Sequence, residues 1–230
     1  MVCFGDLPGE YALEKSSKIV VLPIPYDGTS TWVKGSDKGP EALLEASANM
    51  ELYDIETDSE VYLHGIHTAP AVSENKSPED MVQAAEKEAL KYIDSGKFLV
   101  TIGGEHSVSI GPIQAHAKRY KNLSVLQIDA HTDLRDSYQG SKNNHACVMA
   151  RAQELCPIVQ VGIRSMDSGE MERLDRNRVF WAHHIARGDE WMDKAIDLLT
   201  DNVYLTVDLD GFDPSILPST GTPEPGGLQW

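Results

Sequence analysis

Three stretches of this sequence place potential metal ligands just after apolar runs. The densest is Asp129-Ala130-His131-Thr132-Asp133, which follows Leu123-Ser124-Val125-Leu126-Gln127-Ile128. Residues two apart in an extended chain point the same way, so Asp129 and His131 share a face, and Asp133 joins them if the loop curls back. The second stretch is Asp208-Leu209-Asp210, after Val203-Tyr204-Leu205-Thr206-Val207; the third is His106, after residues 98–102 and Gly103-Gly104-Glu105. Any one of them alone could be a polar loop whose aspartates cap the next helix. Three are harder to explain as caps, because the carboxyl ends of parallel strands lie on one edge of a sheet, where their side chains can converge.

Four Asp and two His make a hard, mixed oxygen and nitrogen donor set. Six ligands exceed one closed tetrahedral zinc site but suit two cations a few Å apart that share carboxylates. The donor types favour Mn²⁺, leave Zn²⁺, Co²⁺ and Ni²⁺ open, and disfavour calcium because of the imidazoles. Two divalent ions lower the pKa of a shared water, so the chemistry expected is hydrolysis. Four carboxylates cancel two dications, and a bound hydroxide leaves the site slightly negative. Cationic substrates suit that balance better than phosphate esters, since only Arg135, Lys142 and Arg164 are expected near the site.

The elements that must hold these residues alternate between strand and helix. Strands are expected at residues 18–25, 61–66, 98–102, 123–128, 158–163, 179–182 and 203–207. Helices are expected from Pro40 through Ser47, from Ser77-Pro78 to about Asp94, and over residues 111–120, 144–155 and 191–200. No internal repeat or Pro/Gly/Ser linker interrupts them. The pattern implies an α/β fold in one domain, residues 1–230, with a doubly wound, largely parallel sheet.

With 230 residues, 41% of them hydrophobic, the chain can bury a sizeable core. A formal charge of −16 argues against nucleic acid or an anionic membrane as partner, while a cationic small molecule would be welcome. Cys3, Cys147 and Cys156 form no C-x-x-C pair and are expected as free thiols. The N-terminus lacks a signal-peptide pattern, and no apolar run approaches the roughly 18 residues of a membrane span, so a cytoplasmic location is expected.

The ordered motifs carry a resemblance. Gly103-Gly104-Glu105-His106-Ser107, the stretch from Asp129 to Asp136, Asn144-His145-Ala146-Cys147-Val148-Met149, Gly162-Ile163-Arg164-Ser165-Met166-Asp167, the stretch from Thr206 to Pro214 and the stretch from Thr220 to Gly227 resemble the ureohydrolase family of arginase and agmatinase. The resemblance implies a three-layer α-β-α, arginase-like fold and a homotrimer or homohexamer. It implies two Mn²⁺, one held by His106, Asp129, Asp133 and Asp208 and the other by Asp129, His131, Asp208 and Asp210. It further implies attack by a metal-bridging hydroxide on a guanidinium carbon, releasing urea and an amine, with His145 matching the histidine that shuttles a proton to the amine. Asp167 matches a substrate-binding position, with a turn Asp as the alternative, and Thr222 matches a contact to substrate or ligand. Arg164 is expected in a structural ion pair, and Asp213 is expected to fix a turn. Leu134-Arg135-Asp136 resembles agmatinase rather than arginase, which points to agmatine, hydrolysed to putrescine and urea. Guanidinobutyrate, arginine or another guanidino compound is the alternative, as is a non-catalytic homologue.

In the family the chain continues past the Gly226-Gly227-Leu228 motif with a helix, a core strand and a final helix, and the strand carries the acidic anchor of the guanidinium. This sequence reads to Trp230. The expectation is a fragment of a longer product, poorly stable and of doubtful activity alone, with Glu224 near the site but at an unmatched position.

Overall fold

Val20, Leu22 and Ile24 are fully buried, as a run without polar alternation requires when both faces of a strand are covered. In the computed structural model, which describes residues 2–230, their strand β1 (Ile19–Ile24) pairs in parallel with β2 (Ile66–Thr68) on one side and β3 (Phe98–Gly103) on the other. With helices α1 (Gly39–Ser47) and α2 (Pro78–Asp94), these strands form a unit made of residues up to Gly28 and Gly35–Ala115. The start of α2 follows from its residues: the Ser77 hydroxyl accepts the Asp80 N–H at 3.0 Å, and Pro78 sits where no helical donor is needed. Met81, Val82, Ala85, Ala89, Tyr92 and Ile93 recur every three or four residues and are all buried.

One element of this unit differs from its sequence pattern. Residues Val61–His64 form a 3-10 turn, and the strand begins only at Ile66. Gly65 separates the two at φ +76°, and a Cβ there would lie 2.7 Å from Ser17 Cα. The backbone therefore reverses at Gly65 and cannot run through as one strand.

The second unit comprises Thr29–Lys34 and His116–Trp230 and is entered along α3 (Ile110–Arg119). Its four strands are β4 (Leu123–Ile128), β5 (Ile158–Ile163), β6 (Val179–Trp181) and β7 (Asn202–Val207), all parallel, in the order β6-β5-β4-β7. Val159, Val161, Ile185 and Ala195 pack with Leu126, Phe180 and Trp191 in its core, with α5 (Ala182–Ile185) and α6 (Glu190–Asp197) supplying part of it. The expected helix at 144–155 is shorter: His145–Cys147 form a 3-10 turn and α4 covers Val148–Gln153. Asn144 explains the tight start, since its side chain accepts the Ala146 N–H at 3.1 Å.

The chain steps from β4 to β5 to β6 in one direction and then returns to the other side of β4 as β7. That reversal makes β4/β7 a topological switch point, where the carboxyl ends of parallel strands diverge and leave a crevice. The Asp129 and Asp208 stretches emerge from these two strands.

Both sheets end in an apolar margin. Among the described residues β3 pairs with β1 alone and β7 with β4 alone, and Phe98 is 69% and Leu205 54% exposed. Cys3, Cys147 and Cys156 form no disulfide. No helix among the described residues is long and apolar enough to cross a membrane.

Candidate metal centre

Sheet hydrogen bonding continues one residue past both strand ends: the Asp129 N–H donates to Val161 O at 3.0 Å and the Asp208 N–H to Ile128 O at 2.9 Å. Both carboxylates are thereby delivered at the switch point by backbone held as firmly as the strands. Ligand atoms of Asp129, His131 and Asp210 lie within 4.8 Å of one another, and carboxylate oxygens of Asp129 and Asp208 lie within the same distance. His131 turns Nδ1 inward, 3.1 Å from Asp210 and 3.6 Å from Asp129. The loop ties itself together, since the His131 N–H donates to Asp129 Oδ1 at 2.7 Å and the Ala130 N–H to Asp210 Oδ1 at 3.2 Å.

Asp129 and Asp210 are almost completely buried. Burial, with the Asp129 charge, pushes the Asp210 carboxyl pKa up against the opposing pull of His131. Burial also disfavours a charged His131, yet its hydrogen bonds to Asp129 and Asp210 and their charges outweigh that and raise its pKa to about 11. Both shifts report a cluster short of positive charge. The oxygen-rich donor set, the buried carboxylates and the inward Nδ1 fit a divalent cation.

The sequence pattern did not disclose what holds Asp129. Gln127, fully buried in β4, donates from Nε2 to Asp129 Oδ2 at 2.8 Å and to His131 O at 3.1 Å. Its own carbonyl accepts from Gln160 Nε2 at 2.6 Å, and Gln160 also donates to Thr132 O at 2.8 Å. Gln127 and Gln160 are register partners on β4 and β5. The available signal was one glutamine in each of two otherwise apolar runs.

The remaining candidates fall as follows. Asp133 is buried at φ +51°, the left-handed turn that curls the loop, and is outside the two Asp129 groupings just described. His106 opens a 3-10 turn after β3 in the first unit, where Glu105 accepts the N–H and hydroxyl of Ser107, both at 2.8 Å. His145 begins the turn before α4, and its Nδ1 lies 3.1 Å from the Thr29 hydroxyl. Asp167 forms a capping box with Glu170 and an ion pair with Arg135 at 3.2 Å. Thr222 donates to Asp210 Oδ2 at 3.4 Å, and Glu224 lies 3.8 Å from His131 Nε2. Arg164 differs from the ion pair expected of it, donating instead to the carbonyls of Gly162, Asp210, Gly211, Phe212 and Glu224. Asp213 fixes its turn by accepting from the N–H groups of Ser215, Gly226 and Gly227.

Comparison with known proteins bears on the same residues. A model of the arginase family matches residues 17–230, which span both units. The chain is 43% identical over 223 residues to an N(1)-aminopropylagmatine ureohydrolase of Synechocystis sp., covering 92% of this chain and 73% of that protein. It is 36% identical over 220 residues to an agmatinase of Pyrococcus horikoshii, covering 93% and 75%. Among solved structures, the agmatine ureohydrolase of Thermoplasma volcanium superposes with a TM-score of 0.89 at 31% identity, over 99% of this chain and 78% of that one. A parallel α/β fold, an acidic cluster at the β4/β7 switch point and a match across nearly all of the sequence lead to one conclusion: the chain belongs to the arginase family.

Proposed function

We propose that the chain carries the centre of a binuclear-metal hydrolase that cleaves a guanidino compound with a cationic tail, with agmatine giving putrescine and urea. The observation that carries this reading is the Asp129–His131–Asp210 cluster with both of its carboxylates buried, and Asp208 beside it, at the switch point of an arginase-family sheet. In this reading Asp129 and Asp208 would serve both ions, His131 and Asp210 would complete the ligands of one, and the family pattern adds His106 and Asp133 for the other. Two divalent cations bound there, Mn²⁺ by donor type, supply Lewis acidity and an activated water for attack on the guanidinium carbon.

The chain's own residues do the rest. The carboxylate-rich crevice attracts a guanidinium and repels phosphate esters. Arg135 does not oppose a cationic tail, because Asp167 pairs with it at 3.2 Å, and the exposed Asp167 carboxylate is the group proposed to meet that tail. Thr222 steadies Asp210. His145 delivers a proton to the departing amine, without which the amine is a poor leaving group.

A second substrate, N(1)-aminopropylagmatine, is favoured by one observation: the relative bearing that name is 43% identical, against 36% for the agmatinase. Its additional amine suits a chain of charge −16. Urea release with Mn²⁺ from agmatine, N(1)-aminopropylagmatine and arginine, compared as kcat/KM, separates the readings. Preference for either agmatine-type compound supports the proposal and names the substrate; preference for arginine rejects both. The family resemblance also extends to a homotrimer or homohexamer, which sedimentation equilibrium tests; a monomer at all concentrations would rule that out.

A further inference from the structure

His145 is held by a residue far away in sequence. The Thr29 hydroxyl accepts the His145 backbone N–H at 2.9 Å and lies 3.1 Å from its ring Nδ1. One side-chain oxygen thus grips both the main chain and the imidazole of the same residue. Thr29 is 5% exposed, so this contact is sheltered from competing water. Thr29 begins the segment Thr29–Lys34, which belongs to the second unit although both flanking stretches belong to the first. A Cβ at Gly28, just before it, would meet the Tyr26 hydroxyl at 2.1 Å, so a larger residue there would displace the Tyr26 ring. On another side of the imidazole, Tyr138 meets it edge to face at 6.1 Å and 87°, and the Arg135 guanidinium covers the Tyr138 ring at 4.8 Å.

We infer that Thr29 is the positioning residue for His145, fixing the ring so that Nε2 faces the reacting amine. The inference rests on the reading of His145 as the proton shuttle. A hydroxyl suits this place for a chemical reason: its oxygen accepts from Nδ1–H, the proton the ring keeps when the imidazolium gives up the one on Nε2. The same contact therefore holds the ring before and after the transfer. An apolar side chain of the same shape offers no acceptor, and a ring free to turn loses part of the benefit of a placed acid.

The test compares Thr29→Val and Thr29→Ser in the full chain with Mn²⁺. The valine variant is expected to lower kcat by about tenfold or more, with KM changed by less than about twofold, and serine to restore most of the loss. In a His145→Ala background, Thr29→Val is expected to cost nothing further, because residues that act as one unit are not additive. Independently of turnover, the ¹⁵N resonance of His145 Nδ1 should move toward that of free imidazole in Thr29→Val. Undiminished kcat, an equal loss in the His145→Ala background, or an unmoved Nδ1 resonance would each overturn the inference. If no guanidino compound yields urea with the unaltered chain, the functional reading fails, and the Nδ1 resonance alone decides whether Thr29 positions the ring.

Discussion

Gln127 Nε2 donates to Asp129 Oδ2 at 2.8 Å from a side chain that is fully buried. Asp129 has ligand atoms within 4.8 Å of those of His131, Asp208 and Asp210, and its orientation is set by an amide whose own oxygen is tied to Gln160. Replacing Gln127 by leucine keeps the volume and removes the donor. Affinity for Mn²⁺ should fall about 10- to 100-fold, the usual cost of losing a partner that orients a metal ligand. Stability should fall by about 1–3 kcal/mol, because Gln160 keeps only its bond to Thr132 O. Calorimetric titration with Mn²⁺ and urea denaturation measure the two effects; unchanged Mn²⁺ affinity would show that Asp129 needs no such support.

Asp213 supplies the acid-side prediction. Hydrogen bonds from the Ser215 hydroxyl and N–H, then from the N–H groups of Gly226 and Gly227, hold its carboxyl well below the ordinary value of 3.8. A folded-state pKa below the unfolded one means that the contribution to stability is present above about pH 4 and is lost as pH falls through the folded value. The Gly226 amide resonance, followed against pH, should therefore titrate with a midpoint below 3.8. A midpoint at or above that value would contradict the role of Asp213 as anchor of the 213–227 loop.

The margin of β7 predicts association. Val203, Leu205 and Val207 stand on one face of an edge strand and are each more than two-fifths exposed. Unprotected apolar edges pair with other chains, and a charge on the edge opposes this. Leu205→Lys should reduce concentration-dependent self-association in sedimentation while leaving the far-ultraviolet dichroism unchanged. Association undiminished in that variant would place the contact elsewhere.

Much of the fold was legible because burial leaves a one-dimensional trace. β4 and β5 match the apolar runs at 123–128 and 158–163 to the residue, and the caps Ser77 and Asn144 stand where helical turns begin. The strand expected at 61–66 was misplaced because Val61-Tyr62-Leu63 has strand composition, whereas the reversal at Gly65 depends on its packing against Ser17. The gathering of Asp208, His131 and Asp210 around Asp129 was legible from position alone, since the exits of parallel strands share an edge. Their supports were not. Gln127 breaks an apolar pattern for a partner on another strand, and Thr29 meets His145 across 116 residues of sequence, so neither contact leaves a local signal.

Electron paramagnetic resonance of the Mn²⁺-loaded chain, with the bound ions counted, tests the central claim most directly, because it reads the centre itself rather than turnover. Two Mn²⁺ per chain with the exchange-coupled spectrum of a close pair, replaced in Asp129→Asn by weaker binding and loss of coupling, is the result expected of carboxylates arranged as Asp129, Asp208 and Asp210 are. Binding of magnetically isolated ions only, or a coupled spectrum that survives Asp129→Asn unchanged, would contradict a bridging role for Asp129 and with it the proposed centre.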